Sequence, residues 1–245
     1  MPNLKDLKVK LFADGADLKT MIEQYKGGIV KGFTTNPTLM KKNGVSDYVT
    51  FAKEALKNIK DLPISFEVFS DEFDEMEAQA RIIASWAKNI TVKIPITNTR
   101  QESSIPLIKK LSSEGMSLNI TAILTVEQVK AVKEVLNPNV YSIVSVFAGR
   151  IADTGRDPMP YMIESRKILK PLSNTDLLWA SSRELLNIFQ AEEAGCQIIT
   201  VTNDILKKSQ MVNKDLKELS LDTVKLFYQD ACQAGFKIET KSAIL

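Results

Sequence analysis

"LNITAILTVEQVKAVKEV" (residues 118–135) contains one complete unit of the fold. Its first seven residues form an apolar, β-branched run in which Asn119 and Thr121 stand two apart, on one face of a strand. Thr125 closes the run and Gln128 follows three residues later, the pairing that caps a helix start reciprocally. Val129, Val132 and Val135 then recur at helical spacing. A strand that runs directly into a helix is half of a parallel βαβ unit, because a parallel neighbour is reached only by a crossover.

The pattern repeats. Apolar, β-rich runs lie at 8–14, 28–36, 63–69, 91–96, 118–124, 141–147, 177–182 and 197–203, eight in all. Most are followed by a segment of helical period; after Phe69, the residues Met76, Ala80, Ile83, Ala87 and Ile90 define one buried face. Eight such units in 245 residues predict an α/β chain folded as a closed (β/α)8 barrel, a TIM barrel, in a single domain spanning 1–245. An open doubly wound sheet is the structural alternative. The tail, about 219–245, reads as an additional C-terminal helix with Val224, Phe227 and Cys232 available for packing.

Composition excludes several classes of function. Hydrophobic residues make up 44% of the chain and the net charge is +2. No basic stripe with interleaved aromatics is present, so nucleic acid is not an expected partner. The N-terminus "MPNLKDLKVK" lacks the apolar core of a signal peptide, and no apolar run is long enough to span a membrane. Two cysteines give no disulfide framework, which fits a cytoplasmic protein. There is no histidine, so Ser–His and Cys–His nucleophiles and His-ligated metals are excluded. No metal site is expected, and no nucleotide-binding glycine motif occurs.

Lys93 is the anomaly. In "TVKIPIT" (91–97) it sits between Val92 and Ile94 in an otherwise apolar strand, where an unpaired ammonium is costly. Barrel interiors are normally branched and apolar. Yet polar residues recur near the ends of most runs: Asp14; Thr34 and Asn36; Glu67; Asn119 and Thr121; Ser145, beside Phe147; Ser181 and Arg183. Such a ring at one mouth predicts Schiff-base chemistry. A desolvated lysine amine condenses with a ketone, and the resulting iminium is an electron sink for breaking the adjacent carbon–carbon bond. Asp14 and Glu67 supply proton transfer, and a hydroxyl such as Thr121 can hold the water. Arg150 and Arg183, beyond their strand ends, suit a sugar phosphate.

The sequence resembles the transaldolase family in its shorter form. "GFTTNPTLM" (32–40), "TVKIPIT", "SLNITAIL", "SVFAGRIAD" and "WASSRE" match five family segments in order, from about residue 8 to 210. The resemblance implies that Lys93 forms the iminium and Asp14 acts as acid/base in retro-aldol cleavage, with Glu67 and Thr121 managing the catalytic water. It implies that Thr34, Asn36, Asn119 and Ser145 hold the substrate hydroxyls and Schiff-base carbons, and that Arg150, Ser181 and Arg183 bind phosphate. The resemblance further implies that the substrates are phosphorylated ketoses and aldoses, that no cofactor is used, and that the chain forms a homo-oligomer, with its contact expected in the tail. Relatives more often have proline after the serine and valine before the glycine in "SVFAGR", and an aromatic at Ser182.

Three plainer readings stand beside these. Lys93 could be a structural lysine paired with an acid at the barrel mouth. Asp14 could be a loop or N-cap residue before "GADLKTM", and Asn36 before Pro37 ordinary turn chemistry. Two rival functions are a fructose-6-phosphate aldolase of the same superfamily and a non-catalytic barrel that binds sugar phosphates. The aldolases have glutamine at the position of Glu67 and tyrosine at that of Phe147.

Overall fold

The computed structural model describes residues 2–238. Eight parallel strands close into a barrel: β1 Lys10–Asp14, β2 Gly32–Thr34, β3 Ile64–Glu67, β4 Ile90–Pro95, β5 Leu118–Ile123, β6 Ser142–Val146, β7 Thr175–Trp179 and β8 Ile198–Thr202. Each overlaps one of the eight runs in the sequence, with β4 beginning one residue and β7 two residues before its run. Closure is made by five paired positions, from Lys10 opposite Ile198 to Asp14 opposite Thr202, which rules out the open sheet. Among the described residues no helix is long and apolar enough to cross a membrane.

Period two divides the side chains of each strand between two environments. Outward residues such as Leu11, Val92, Val144, Trp179 and Val201 join the surrounding helices in the main apolar core. Inward residues Phe12, Ile143, Leu178, Ala180 and Ile198 form a smaller cluster inside the barrel. Gly32 makes room for it, since a Cβ there would stand 2.4 Å from the Phe12 ring. The inner wall of β3, β4 and β5, and of β6 beyond Ile143, is polar instead, with Ser65, Thr91, Asn119 and Ser145 all buried.

Local signals account for several helix starts, while others, such as that of Phe73–Ser85, carry no side-chain cap. Thr125 Oγ1 accepts from the Gln128 amide, and Gln128 Oε1 accepts from the Thr125 amide, at the head of helix Val126–Lys133. Val129 and Val132 are buried on that helix, and Val135 packs just beyond it. Helix Phe73–Ser85 buries Met76, Ala80 and Ile83 as their spacing predicts. Ala87 and Ile90 lie outside it, because the chain turns after Trp86 and Ile90 already opens β4. Helix Leu18–Gly27 is capped by Asp17, so Asp14 is not its cap.

The tail forms the additional C-terminal helix expected, standing apart from the barrel. Its helix runs Leu216–Ala234, begins at an Asp215 cap, and buries no residue. Val224 and Phe227 are 60% and 66% exposed, and Cys232 is exposed, so none packs on the barrel of its own chain. Residues 239–245 of the expected tail lie outside the described residues.

Candidate active site

The C-terminal ends of the strands surround a cavity of about 660 Å³, within the range of small-ligand sites. Lys93 projects into it from β4 and is 6% exposed. Its Nζ lies 3.2 Å from Glu67 Oε2 and donates to the Thr35 carbonyl at 3.3 Å. The register explains the first contact, since β3 and β4 place Glu67 and Lys93 directly opposite. The acid that a structural reading of Lys93 requires is therefore present, but both members of the pair line the cavity. A buried ion pair is weak evidence for a stabilising role, because desolvation offsets the Coulombic gain.

Asp14, the last residue of β1, faces the same space. Burial raises its carboxyl above the usual aspartate range, against the opposing pull of the Lys93 charge and a hydrogen bond from Thr34. Thr34 Oγ1 donates to Asp14 Oδ1 at 2.8 Å and lies 2.5 Å from Thr200 Oγ1. Asn36 lines the cavity too, while its Oδ1 caps helix Pro37–Lys42 by accepting from the Leu39 amide. Turn chemistry thus occupies its oxygen and leaves its Nδ2 available to a ligand.

On β5 a bulge follows Ile120. Ala122, which strict alternation would turn outward, adopts φ 60° and joins Thr121 on the cavity wall. The Thr121 hydroxyl is buried and has no protein partner. A buried orphan hydroxyl facing a cavity is a natural seat for water. Asn119 is one layer deeper, fully buried and not part of the cavity wall. Ser145 Oγ, on the wall, donates to Asn119 Oδ1 at 2.7 Å; Asn119 Nδ2 donates to Ser65 Oγ at 2.9 Å; Ser65 meets Thr91 Oγ1 at 2.7 Å. Asn119 thereby fixes the direction of the Ser145 hydroxyl on the cavity wall.

The opposite lip carries Phe147, Arg150, Ser181 and Arg183. The Arg150 guanidinium lies over the Phe147 ring, 5.8 Å from its centre. Arg183 is held by Asp153, with Nε 2.9 Å from Oδ1 and Nη2 against Oδ2. The Arg183 guanidinium beside Asp153 holds that carboxyl below its ordinary range. Ser181 has φ 65°, and the Cβ of any residue replacing Gly149 would stand 1.6 Å from its carbonyl oxygen. Gly149 is what allows the segment after β6 to seat against the segment after β7.

Eleven of the twelve residues singled out in the sequence therefore line one cavity, and Asn119 supports it from beneath. Sequence reasoning missed β8, which contributes Thr200 and Thr202. The alternation in "ITVT" (199–202) is the signal that points to them. Ser65 and Thr91 were also missed, although each stands two residues before Glu67 or Lys93 on the same strand face.

Comparison with known proteins agrees with this geometry. The family model described as Transaldolase/Fructose-6-phosphate aldolase matches residues 11–240. The chain belongs to the transaldolase/fructose-6-phosphate aldolase family. A "Probable transaldolase" of Dehalococcoides mccartyi is 35% identical over 199 residues, 81% of this chain and 88% of that one. A "Probable transaldolase" of Thermoanaerobacter sp. is 33% identical over 231 residues, 94% of this chain and all of that one. Among solved structures, a dihydrodipicolinate synthase family protein from Coccidioides immitis superposes with a TM-score of 0.59 at 13% identity. That match covers 95% of this chain and 79% of the other, and it speaks to the barrel alone. Family membership indicates an enzyme and implies sugar-phosphate substrates.

Proposed function

We propose that this member of the family is a transaldolase, moving a dihydroxyacetone unit from sedoheptulose 7-phosphate to glyceraldehyde 3-phosphate. The products are erythrose 4-phosphate and fructose 6-phosphate, as in the non-oxidative pentose phosphate pathway. One observation carries the reading: a buried lysine on the cavity wall, paired with Glu67, facing the same space as Asp14, whose carboxyl is raised by desolvation.

In this mechanism the Lys93 amine attacks the ketose carbonyl, and loss of water from the carbinolamine leaves an iminium. Glu67 delivers and recovers the protons through a water held at Thr121. Asp14 takes the hydroxyl proton of the fourth carbon, the bond between the third and fourth carbons breaks, and its electrons enter the iminium to give an enamine. The aldehyde product leaves, a second aldehyde enters, and the steps reverse. The iminium is the electron sink, so no cofactor is needed. Arg150, Ser181 and Arg183 take the phosphate, with Asp153 holding the Arg183 fork. Thr34, Asn36 and Ser145 meet the hydroxyls.

Borohydride reduction in the presence of fructose 6-phosphate, followed by mass spectrometry, tests this. An adduct on Lys93 that is absent from Lys93→Met is the expected result. No adduct on the intact protein would favour a non-catalytic sugar-phosphate binder.

The second reading is the lyase reaction of the fructose-6-phosphate aldolases, which releases free dihydroxyacetone. Phe147 and Glu67 favour transfer, since a phenyl ring cannot hold the water that protonates the enamine. Phe147→Tyr should raise release relative to transfer in a two-substrate assay; an unchanged partition counts against the assignment.

Self-association through helix Leu216–Ala234 and a reducing, cytoplasmic setting complete the proposal. They are supported by the helix's exposed apolar side chains and by two unpaired cysteines.

A further inference from the structure

Thr200 is buried (5% exposed) on β8, lines the cavity and bonds to no carboxylate itself. Its neighbour Thr34 has one hydroxyl proton and two oxygen contacts, Asp14 Oδ1 at 2.8 Å and Thr200 Oγ1 at 2.5 Å. Counting protons fixes the direction. With Asp14 ionised, Thr34 gives its proton to the carboxylate, so the contact with Thr200 is carried by the Thr200 proton.

We propose that Thr200 is a positioning residue that acts through Thr34, the two hydroxyls forming a reversible pair that satisfies Asp14 in both of its protonation states. When Asp14 takes a proton from a substrate hydroxyl, the same three oxygens bond in reverse order. Asp14 donates to Thr34 and Thr34 donates to Thr200. One proton has entered, on Asp14, and none has left; each hydroxyl turns about its C–O bond while the heavy atoms stay in place. Thr200 keeps its own proton, which turns away from Thr34, and the position of Thr200 on the cavity wall gives that proton a new acceptor in water or substrate.

The backbone is built to hold this arrangement. β1 and β8 place Ala13 opposite Val201, next to Thr200, and Asp14 opposite Thr202. Ser182 Oγ donates to the Thr200 carbonyl at 2.7 Å, tying β8 to the segment after β7. The charges that share the cavity with Asp14 are Lys93 of β4, Glu67 of β3, and Arg150 and Arg183 of the opposite lip. A hydroxyl, unlike these groups, exchanges giving a hydrogen bond for accepting one by turning about its C–O bond, with no change of its own charge. The inference rests on the proposed function only in supposing that Asp14 cycles between two states.

The test reads Asp14 directly, by carbon-13 NMR titration of the full chain labelled at aspartate carboxyls, with Asp14→Asn assigning the signal. Thr200→Val keeps the shape and deletes the acceptor that the reversed order needs, so protonated Asp14 is disfavoured and its midpoint moves to lower pH. Thr34→Val deletes the donor to ionised Asp14, and the midpoint moves the other way. Thr200→Ser keeps the wild-type midpoint. In turnover, Thr200→Val should lower kcat about 3- to 10-fold, the worth of one hydrogen bond, with donor KM near wild type and recovery in the serine variant. An unmoved midpoint in Thr200→Val, or equal shifts in the serine and valine variants, overturns the pair. If Thr200→Val does not fold, a Thr34→Val midpoint that stays put or falls does the same. Opposite shifts in a protein that forms no Lys93 adduct would leave the pair standing and sink the transaldolase reading instead.

Discussion

Asp14 carries the sharpest conflict in the structure. It is an acid in a site that desolvates it, so its folded-state carboxyl holds a proton more tightly than in the unfolded chain. By linkage the folded state binds more protons in the window above the ordinary aspartate range. Stability contributed by this group is therefore greatest at low pH and is lost as pH rises through the raised folded value. Asp14→Asn should raise Tm at pH 8 and change it least near pH 3, measured by thermal melts across pH. The same variant should lower transfer activity about 10²- to 10⁴-fold, the usual worth of a positioned general acid/base. A gain in stability with a loss in activity is the signature of strain kept for function. Gly149 makes the converse case. Gly149→Ala puts a methyl 1.6 Å from the Ser181 carbonyl, so the lip must shift. A stability loss of about 1–3 kcal/mol in urea unfolding is expected, together with a raised KM for phosphorylated substrates.

At the scale of elements, strand period explains both what was legible and what was hidden. Lys93, Glu67 and Thr121 could be read from sequence because a polar side chain in an apolar run shows itself, and period two sends it inward. Depth could not be read. Asn119 and Thr121 share a face, but only barrel stagger decides that Thr121 reaches the cavity while Asn119 stops a layer below. The Ser145–Asn119–Ser65–Thr91 chain joins four strands that are distant in sequence, so no local pattern marks it. Asn119→Ala leaves Ser145 and Ser65 without their partners in a buried place, and should cost about 1–3 kcal/mol. Urea unfolding measures it; a loss well below this range would mean that water fills the gap. Local elements behave as their spacing demands. Thr125→Ala, which removes a cap visible in sequence, should cost about 1 kcal/mol and leave activity near wild type.

For the whole molecule, the telling element is the last helix. Leu216–Ala234 buries nothing, yet Leu221, Val224, Phe227 and Tyr228 lie along one side of it, all more than half exposed. A lone helix of this length is marginal in water, and most helical stability comes from packing an apolar face. Its own barrel does not supply that packing, so a second copy of the chain is the partner under the proposed self-association. The full chain should run as an oligomer by light scattering, and the double variant Val224→Glu, Phe227→Glu as a smaller species with its barrel still folded. A full chain that is monomeric at micromolar concentration would count against this.

The amino-acid sequence by itself determined the number of strands, their parallel order, the capped start of helix Val126–Lys133 and nearly all the polar residues of the mouth. These depend on contacts between near neighbours along the chain, namely strand period, helix period and caps, and such contacts are written locally. Only the tertiary structure decided which acid faces Lys93, how deep Asn119 sits, that Thr200 completes the ring around Asp14, and that the final helix leaves its own barrel uncovered. Those facts depend on register between strands and on closure of β8 onto β1. Register and closure are properties of the assembled barrel, and no stretch of sequence holds both partners of such a contact.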